Sequence, residues 1–177
     1  MIDLLIVVNK ILAVGAVALQ VFVVVAVIYC FTPLRKDIFG DFFAKNGLKM
    51  AFAMALVASC GSLFYSNYAG FNPCPLCWFQ RVFMYPQVII LGLALIKKDE
   101  KIVDYGLAMS VVGLVISAYH NFVYFSAVHS VVCTTAETCM TPYVTEFGYV
   151  TIPVMALTAF AVITLILGAK KYYDRKI

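Results

Sequence analysis

The chain is predicted to fold as an all-α integral membrane protein, and three observations carry that prediction. Hydrophobic residues make up 64% of its 177 residues and charged ones only 12%, with a mean hydropathy of +0.97, too little polar surface to coat a soluble globule. Five stretches, near residues 4–31, 49–66, 78–96, 105–126 and 150–169, approach the roughly 20 mostly apolar residues that a helix needs to cross about 30 Å of hydrocarbon. The runs are continuous and lack the two-residue alternation of barrel strands; in lipid, only helices or a closed barrel satisfy every backbone polar group.

The first stretch, within residues 1–33, reads as a retained helix. A secretory signal has an apolar core of about 7 to 15 residues, whereas Ile11 to Phe31 alone is 21 nearly uncharged residues. Residues 34–48 mix charged and aromatic side chains and read as a cytoplasmic connector or as a short helix lying along the membrane surface. Residues 49–169 hold the other four spans, and residues 170–177 form a basic tail.

Orientation follows from the basic residues, because Lys and Arg in short loops are retained on the cytoplasmic side. Arg35, Lys36, Lys45 and Lys49 flank the first connection. Lys97, Lys98 and Lys101 fill the third, and Lys170, Lys171, Arg175 and Lys176 lie at the C-terminus. Eleven of the thirteen basic residues thus share one side, with Lys10 and Arg81 excepted. The C-terminus is expected inside and the N-terminus outside, so the polar stretches 67–77 and 127–149 both face the exterior. The net charge of +4 reflects this topology and is no nucleic-acid signature.

Each exterior stretch carries two cysteines: Cys74-Pro75-Leu76-Cys77 in one, Cys133 and Cys139 in the other. A Cys-x-x-Cys pair serves as a metal half-site, a staple or a redox dithiol. Two pairs on an oxidising face, where disulfides persist, suggest electrons passed between them. All four would match a zinc site in ligand type, but an oxidising compartment works against thiolates held for a metal, and no metal is expected. Cys77 falls in a first helical turn, where amide N–H groups and the helix dipole stabilise a thiolate, and Arg81 follows at i+4. A charge such as Arg81 near the membrane boundary is expensive unless it snorkels to the headgroups or binds something. His129 is placed to stabilise a thiolate at Cys133, or is simply solvated; Glu146 could pair with Arg81 or cap the last helix. Cys30 and Cys60 read as packing residues. Tyr65, Tyr68, Tyr119, Tyr124, Tyr143 and Tyr149 read mostly as interfacial belts.

Residues 72–86, Asn-Pro-Cys-Pro-Leu-Cys-Trp-Phe-Gln-Arg-Val-Phe-Met-Tyr-Pro, followed by Cys133 to Cys139 and by Phe-Gly-Tyr-Val-Thr-Ile-Pro at 147–153, resemble the DsbB family of bacterial membrane disulfide oxidases. The closest likeness is to its BdbC-type branch, whose second cysteine pair is closely spaced. The resemblance spans roughly residues 49–169 and implies a DsbB-like four-helix transmembrane bundle, to which residues 1–33 add an extra N-terminal helix. It further implies two redox-active disulfides, Cys74-Cys77 and Cys133-Cys139, on the periplasmic face of the bacterial inner membrane. A reduced DsbA-like thioredoxin-fold partner would attack Cys133, Cys139 would then attack Cys74, and Cys77 would face a membrane quinone, ubiquinone or menaquinone. Arg81 would hold that quinone, and His120, towards the outer end of the fourth span, is a further candidate donor to a quinone oxygen. Two other readings stand beside this one. A vitamin K epoxide reductase-like enzyme also joins two cysteine pairs to a quinone, but there the Cys-x-x-Cys follows the loop pair. A non-enzymatic membrane scaffold stapled by two disulfides would keep its bridges unchanged.

Overall fold

The computed structural model describes residues 2–31, 37–99, 101–126, 133 and 139–174, with backbone alone for 2, 29–31 and 37–41. His129 and the side chain of Cys30 therefore lie outside the described part. Five helices follow in order: α1 (Ile2–Phe31), α2 (Asp37–Leu63), α3 (Pro75–Lys97), α4 (Ile102–Ser126) and α5 (Ile152–Asp174). All five are long and apolar enough to cross a membrane, as the hydropathy pattern predicts, and the protein is a multi-pass membrane protein. Four of them close a ring in which α2 and α4 each pack on both α3 and α5, while α1 lies against α5.

Small residues let the ring close. Gly106, Ser110, Gly113 and Ser117 recur on one face of α4 and are all buried, the small-residue spacing that brings membrane helices together where lipid offers no hydrophobic drive. A Cβ on Gly106 would stand 2.9 Å from Leu91 of α3, and one on Gly113 would strike the Phe160 ring of α5. Between these glycines, Gln87 Nε2 donates to Ser110 Oγ at 2.9 Å, a polar link across the α3–α4 seam. The same face of α4 ends on His120, which is 1% exposed.

Two boundaries differ from the sequence reading. From Asp37 onwards the segment 34–48, read as a connector or a surface helix, is helical and continuous with the second span. Gly47 and Leu48 are already buried there, because Gly47 admits the Lys170 side chain of α5, whose Cβ would lie 3.2 Å from a Cβ at that glycine. The basic tail 170–177 likewise begins inside α5. Lys170 is buried with its Nζ 2.9 Å from Asp174 Oδ2 and donating to the Ala44 carbonyl at 2.9 Å, so its charge is compensated where it is buried. Lys171 pairs with Asp104 at 2.7 Å, and the two lysines tie the end of α5 to α2 and α4.

At the opposite end, α2 runs into a π-helical turn, Phe64–Tyr68. The Tyr65 ring stacks on Phe71 at 5.8 Å, and Phe71 stacks on Tyr143 at 4.7 Å, joining α2 to both cysteine-bearing segments. Glu146 and Val150 form an antiparallel bridge around Phe147 (φ 54) and Gly148 (φ 78). Glu146 thus serves this turn through its backbone, and no ion pair joins it to Arg81 among the described residues.

Candidate functional site

Proline decides where α3 begins. Pro75 occupies a first-turn position, where its missing N–H leaves nothing unpaired, and Cys74 before it is extended (φ −69, ψ 166) and caps the helix. The cap is the thiol: Cys77 N–H donates to Cys74 Sγ at 3.4 Å. One turn of helix then brings the Cys77 sulfur to 3.1 Å from that of Cys74. Cys133 and Cys139 are joined by a disulfide, and Cys74, Leu76, Cys133 and Cys139 form one buried cluster with Cys77 packed against it. All four cysteines meet at one end of the bundle.

His120 reaches this cluster from α4. Its Nε2 is 3.7 Å from Cys74 Sγ and its Nδ1 is 3.1 Å from Gln80 Nε2. An amide nitrogen only donates, so Nδ1 accepts and the imidazole proton resides on Nε2, facing the sulfur. The thiol of Cys77 and then His120 hold the Cys74 thiol well below the ordinary cysteine range. Sequence reasoning places the stabilised thiolate on Cys77; the hydrogen bonds converge on Cys74 instead, because only the tertiary fold supplies the histidine. Replacing His120 with leucine is expected to move the thiolate titration of the reduced protein upwards, as read by ultraviolet thiolate absorbance. An unchanged titration would remove His120 from this role. Cys74, Cys77 and His120 also offer three metal-ligand atoms within 4.8 Å of one another. Two thiolates on a tetrahedral zinc at ~2.3 Å stand about 3.8 Å apart, so the 3.1 Å pair has the spacing of a hydrogen-bonded dithiol.

Arg81 lies one turn beyond Cys77. Its Nε donates to Ser62 Oγ at 2.9 Å and an Nη to the Ser62 carbonyl at 3.2 Å, and its guanidinium sits 5.1 Å from the Trp78 ring centroid. With five N–H donors in the group, these bonds aim the fork and leave donors over. They point it along a cavity of about 810 Å³ whose walls include Cys74, Cys77, Arg81, Tyr65 and His120 at the cysteine end. Tyr65 Oη and Thr151 Oγ1, both on that wall and both buried, have no hydrogen-bond partner among the described residues. Unpartnered buried hydroxyls are costly, and π-helical turns such as the one carrying Tyr65 are frequent at functional sites. An apolar chamber with a dithiol, a guanidinium and two open hydroxyls at one end fits a lipid-soluble ring bearing polar oxygens.

The fold therefore gathers Cys74, Cys77, Cys133, Cys139, Arg81 and His120, and it adds Gln80, Ser62 and Tyr65, to which sequence reasoning assigned no role in the site. Gln80 stands inside the Cys-x-x-Cys-Trp-Phe-Gln-Arg run and was available as a signal. Ser62 and Tyr65 carry none. Tyr65, read as an interfacial belt residue, is turned inwards.

The family model for the disulfide bond formation protein DsbB matches residues 45–169. The chain is 43% identical over 123 residues to a probable disulfide formation protein of Oceanobacillus iheyensis, an alignment covering 68% of this chain and 85% of that protein. It is 38% identical over 128 residues to disulfide bond formation protein C of Bacillus subtilis, covering 68% and 91%, and 39% identical over 131 residues to a probable disulfide formation protein of Deinococcus radiodurans, covering 68% and 86%. No solved structure matches. A helical membrane bundle with four clustered cysteines, matched over most of its length in this way, makes the chain a member of the DsbB family of disulfide bond formation proteins.

Proposed function

We propose that this protein is a quinone-dependent thiol oxidase that reoxidises a DsbA-like thioredoxin-fold partner outside the cytoplasm of a bacterium. The observation that carries the reading is the contact of a loop disulfide, Cys133–Cys139, with a helix-start dithiol, Cys74 and Cys77, that opens on an apolar chamber. The cysteine end faces the periplasm and the basic end the cytoplasm, in keeping with the distribution of Lys and Arg.

Electrons enter at the loop. A partner thiolate attacks Cys133, and the partner's second thiol resolves the mixed disulfide, leaving the partner oxidised and Cys133 and Cys139 as thiols. Cys139 then attacks Cys74 of the Cys74–Cys77 bond and expels Cys77. Attack of Cys133 on Cys139 re-forms the loop disulfide and releases Cys74 as the thiolate that His120 and the Cys77 N–H receive. Stabilising the reduced form makes a disulfide more oxidising, which draws electrons towards α3. A bound quinone would supply the two-electron, two-proton acceptor that lets the Cys74–Cys77 bond re-form. Arg81 and Tyr65 line the cysteine end of the chamber and would hold its oxygens, and the apolar walls would exclude water.

The test mixes the detergent-solubilised protein with a reduced DsbA-type protein and a short-chain quinone while following quinone absorbance. Sustained turnover supports the proposal. Intact bridges with no turnover, using ubiquinone or menaquinone analogues, would leave the stapled scaffold. Arg81→Ala is expected to raise the apparent KM for quinone about tenfold to hundredfold, the ~1.5–3 kcal/mol of a charge-assisted hydrogen bond. An unchanged KM would take Arg81 out of the site.

A further inference from the structure

The family match begins at residue 45, yet α1, which precedes it, lines the same chamber as Cys77 and Arg81. We infer that α1 is a specificity-determining wall that holds the hydrocarbon tail of the quinone, an inference that rests on the quinone-oxidase reading above.

α1 meets the turn before α5 and α5 itself on one side and the chamber on the next, with Ala16 at their border. Ala13, Ala16 and Gln20 lie on one face. The two alanines are buried with Val150 of the preceding turn, and Gln20 Nε2 donates to Thr158 Oγ1 at 3.2 Å while its Oε1 accepts from Tyr149 at 2.9 Å. These two hydrogen bonds of one glutamine pin α1 to α5 and to the turn before it, an attachment suited to a membrane protein, where an unsatisfied amide is expensive. Val14, Val21, Val25 and Ile28 are exposed on a second face, as residues touching lipid would be. Ile11, Gly15, Ala18 and Phe22 recur at i, i+4, i+7 and i+11 and, with Leu12, Ala16 and Leu19 beside them, line the chamber; Ile11, Gly15 and Ala18 are exposed and stand at its open side.

The shape of the chamber suits an extended chain. Along α2 its lining runs from Met50 to Ser66, about 24 Å at 1.5 Å per residue. The polar groups Arg81, Tyr65, Thr151 and the cysteines gather at one end, whereas α1 contributes only apolar side chains and a glycine. Towards the other end the rings of Phe22 and Phe43 meet, 6.5 Å between centroids. A molecule with one oxygen-bearing ring and one long hydrocarbon tail matches that division. Gly15 leaves open space beside the helix, since a Cβ there would meet nothing within 4 Å.

Gly15→Phe and Ala18→Phe place a ring in the tail path, and Val14→Phe places the same bulk on the lipid-facing side as a control. Two quantities are read for a long-tailed quinone and its tail-less analogue: thermal stabilisation of the oxidised, non-turning protein, and apparent KM. The unaltered protein is expected to be stabilised more by the long-tailed quinone and to show at least a tenfold lower KM for it. Gly15→Phe and Ala18→Phe should erase both preferences and leave the tail-less quinone unaffected, with Val14→Phe unchanged. Either chamber variant retaining the preference while folded, or an unaltered protein that binds and reduces both quinones alike, would overturn the role of α1. An unaltered protein that neither binds nor reduces any quinone would overturn the quinone reading itself, and the tail site with it.

Discussion

A Cys77→Ser protein is expected to oxidise one equivalent of reduced partner and then stop, with no quinone reduced. The loop disulfide Cys133–Cys139 is untouched by the substitution and takes the first pair of electrons. Cys74 alone cannot form the disulfide that would accept them next, so the loop stays reduced. The fold should survive, because the hydrogen bond that caps α3 runs from the backbone N–H of residue 77 to Cys74 Sγ and does not need the Cys77 side chain. Rapid mixing with reduced partner, followed by thiol alkylation and mass measurement, reads the stoichiometry. A companion Cys133→Ser protein should oxidise no partner at all. Continued turnover in Cys77→Ser would sink the relay order, since electrons would then leave the loop without the α3 pair.

Gly113→Val should be the most destabilising single change in the bundle, by about 3 kcal/mol, the upper range for overpacking a close-fitted core. A Cβ at Gly113 would overlap the Phe160 ring, and that ring is fully buried, so it would have to leave its packed position and shift towards the chamber it lines. Gly168→Ala is the control: nothing lies within 4 Å of a Cβ there, and alanine exceeds glycine in helix propensity by up to about 1 kcal/mol. Thermal or denaturant unfolding in detergent should separate the two. Equal stability of Gly113→Val and the unaltered protein would show that α4 and α5 are not in close contact. The consequence reaches the site, because the α4 face that carries Gly113 ends on His120. A shift of α4 away from α5 moves the imidazole relative to Cys74, now 3.7 Å away.

Five spans were legible because hydropathy is a property of consecutive residues, and a helix in lipid satisfies its backbone within its own segment. The cysteine pairs were legible for a related reason: the chemistry of Cys74 and Cys77 needs a spacing of one helical turn, which the chain itself writes. Local pattern failed at the ends of elements. Residues 37–48 carry charges that suit a connector or a surface helix, whereas the structure makes them continuous with the second span and packs Gly47 against Lys170, a contact between positions far apart in the chain. The same limit applied to the site. Tyr65 looks like any interfacial tyrosine until the π-helical turn and the Phe71–Tyr143 stack turn it inwards.

Composition, run length and spacing are local quantities, and they made a helical membrane protein with five candidate spans and two cysteine pairs readable from the chain alone. Only the tertiary structure decided that His120 and Gln80 serve Cys74, that Ser62 aims Arg81, and that α1 completes the chamber. Each of these depends on side chains from different helices meeting within hydrogen-bond or packing distance, and that meeting is set by how small residues such as Gly106 and Gly113 let the helices close.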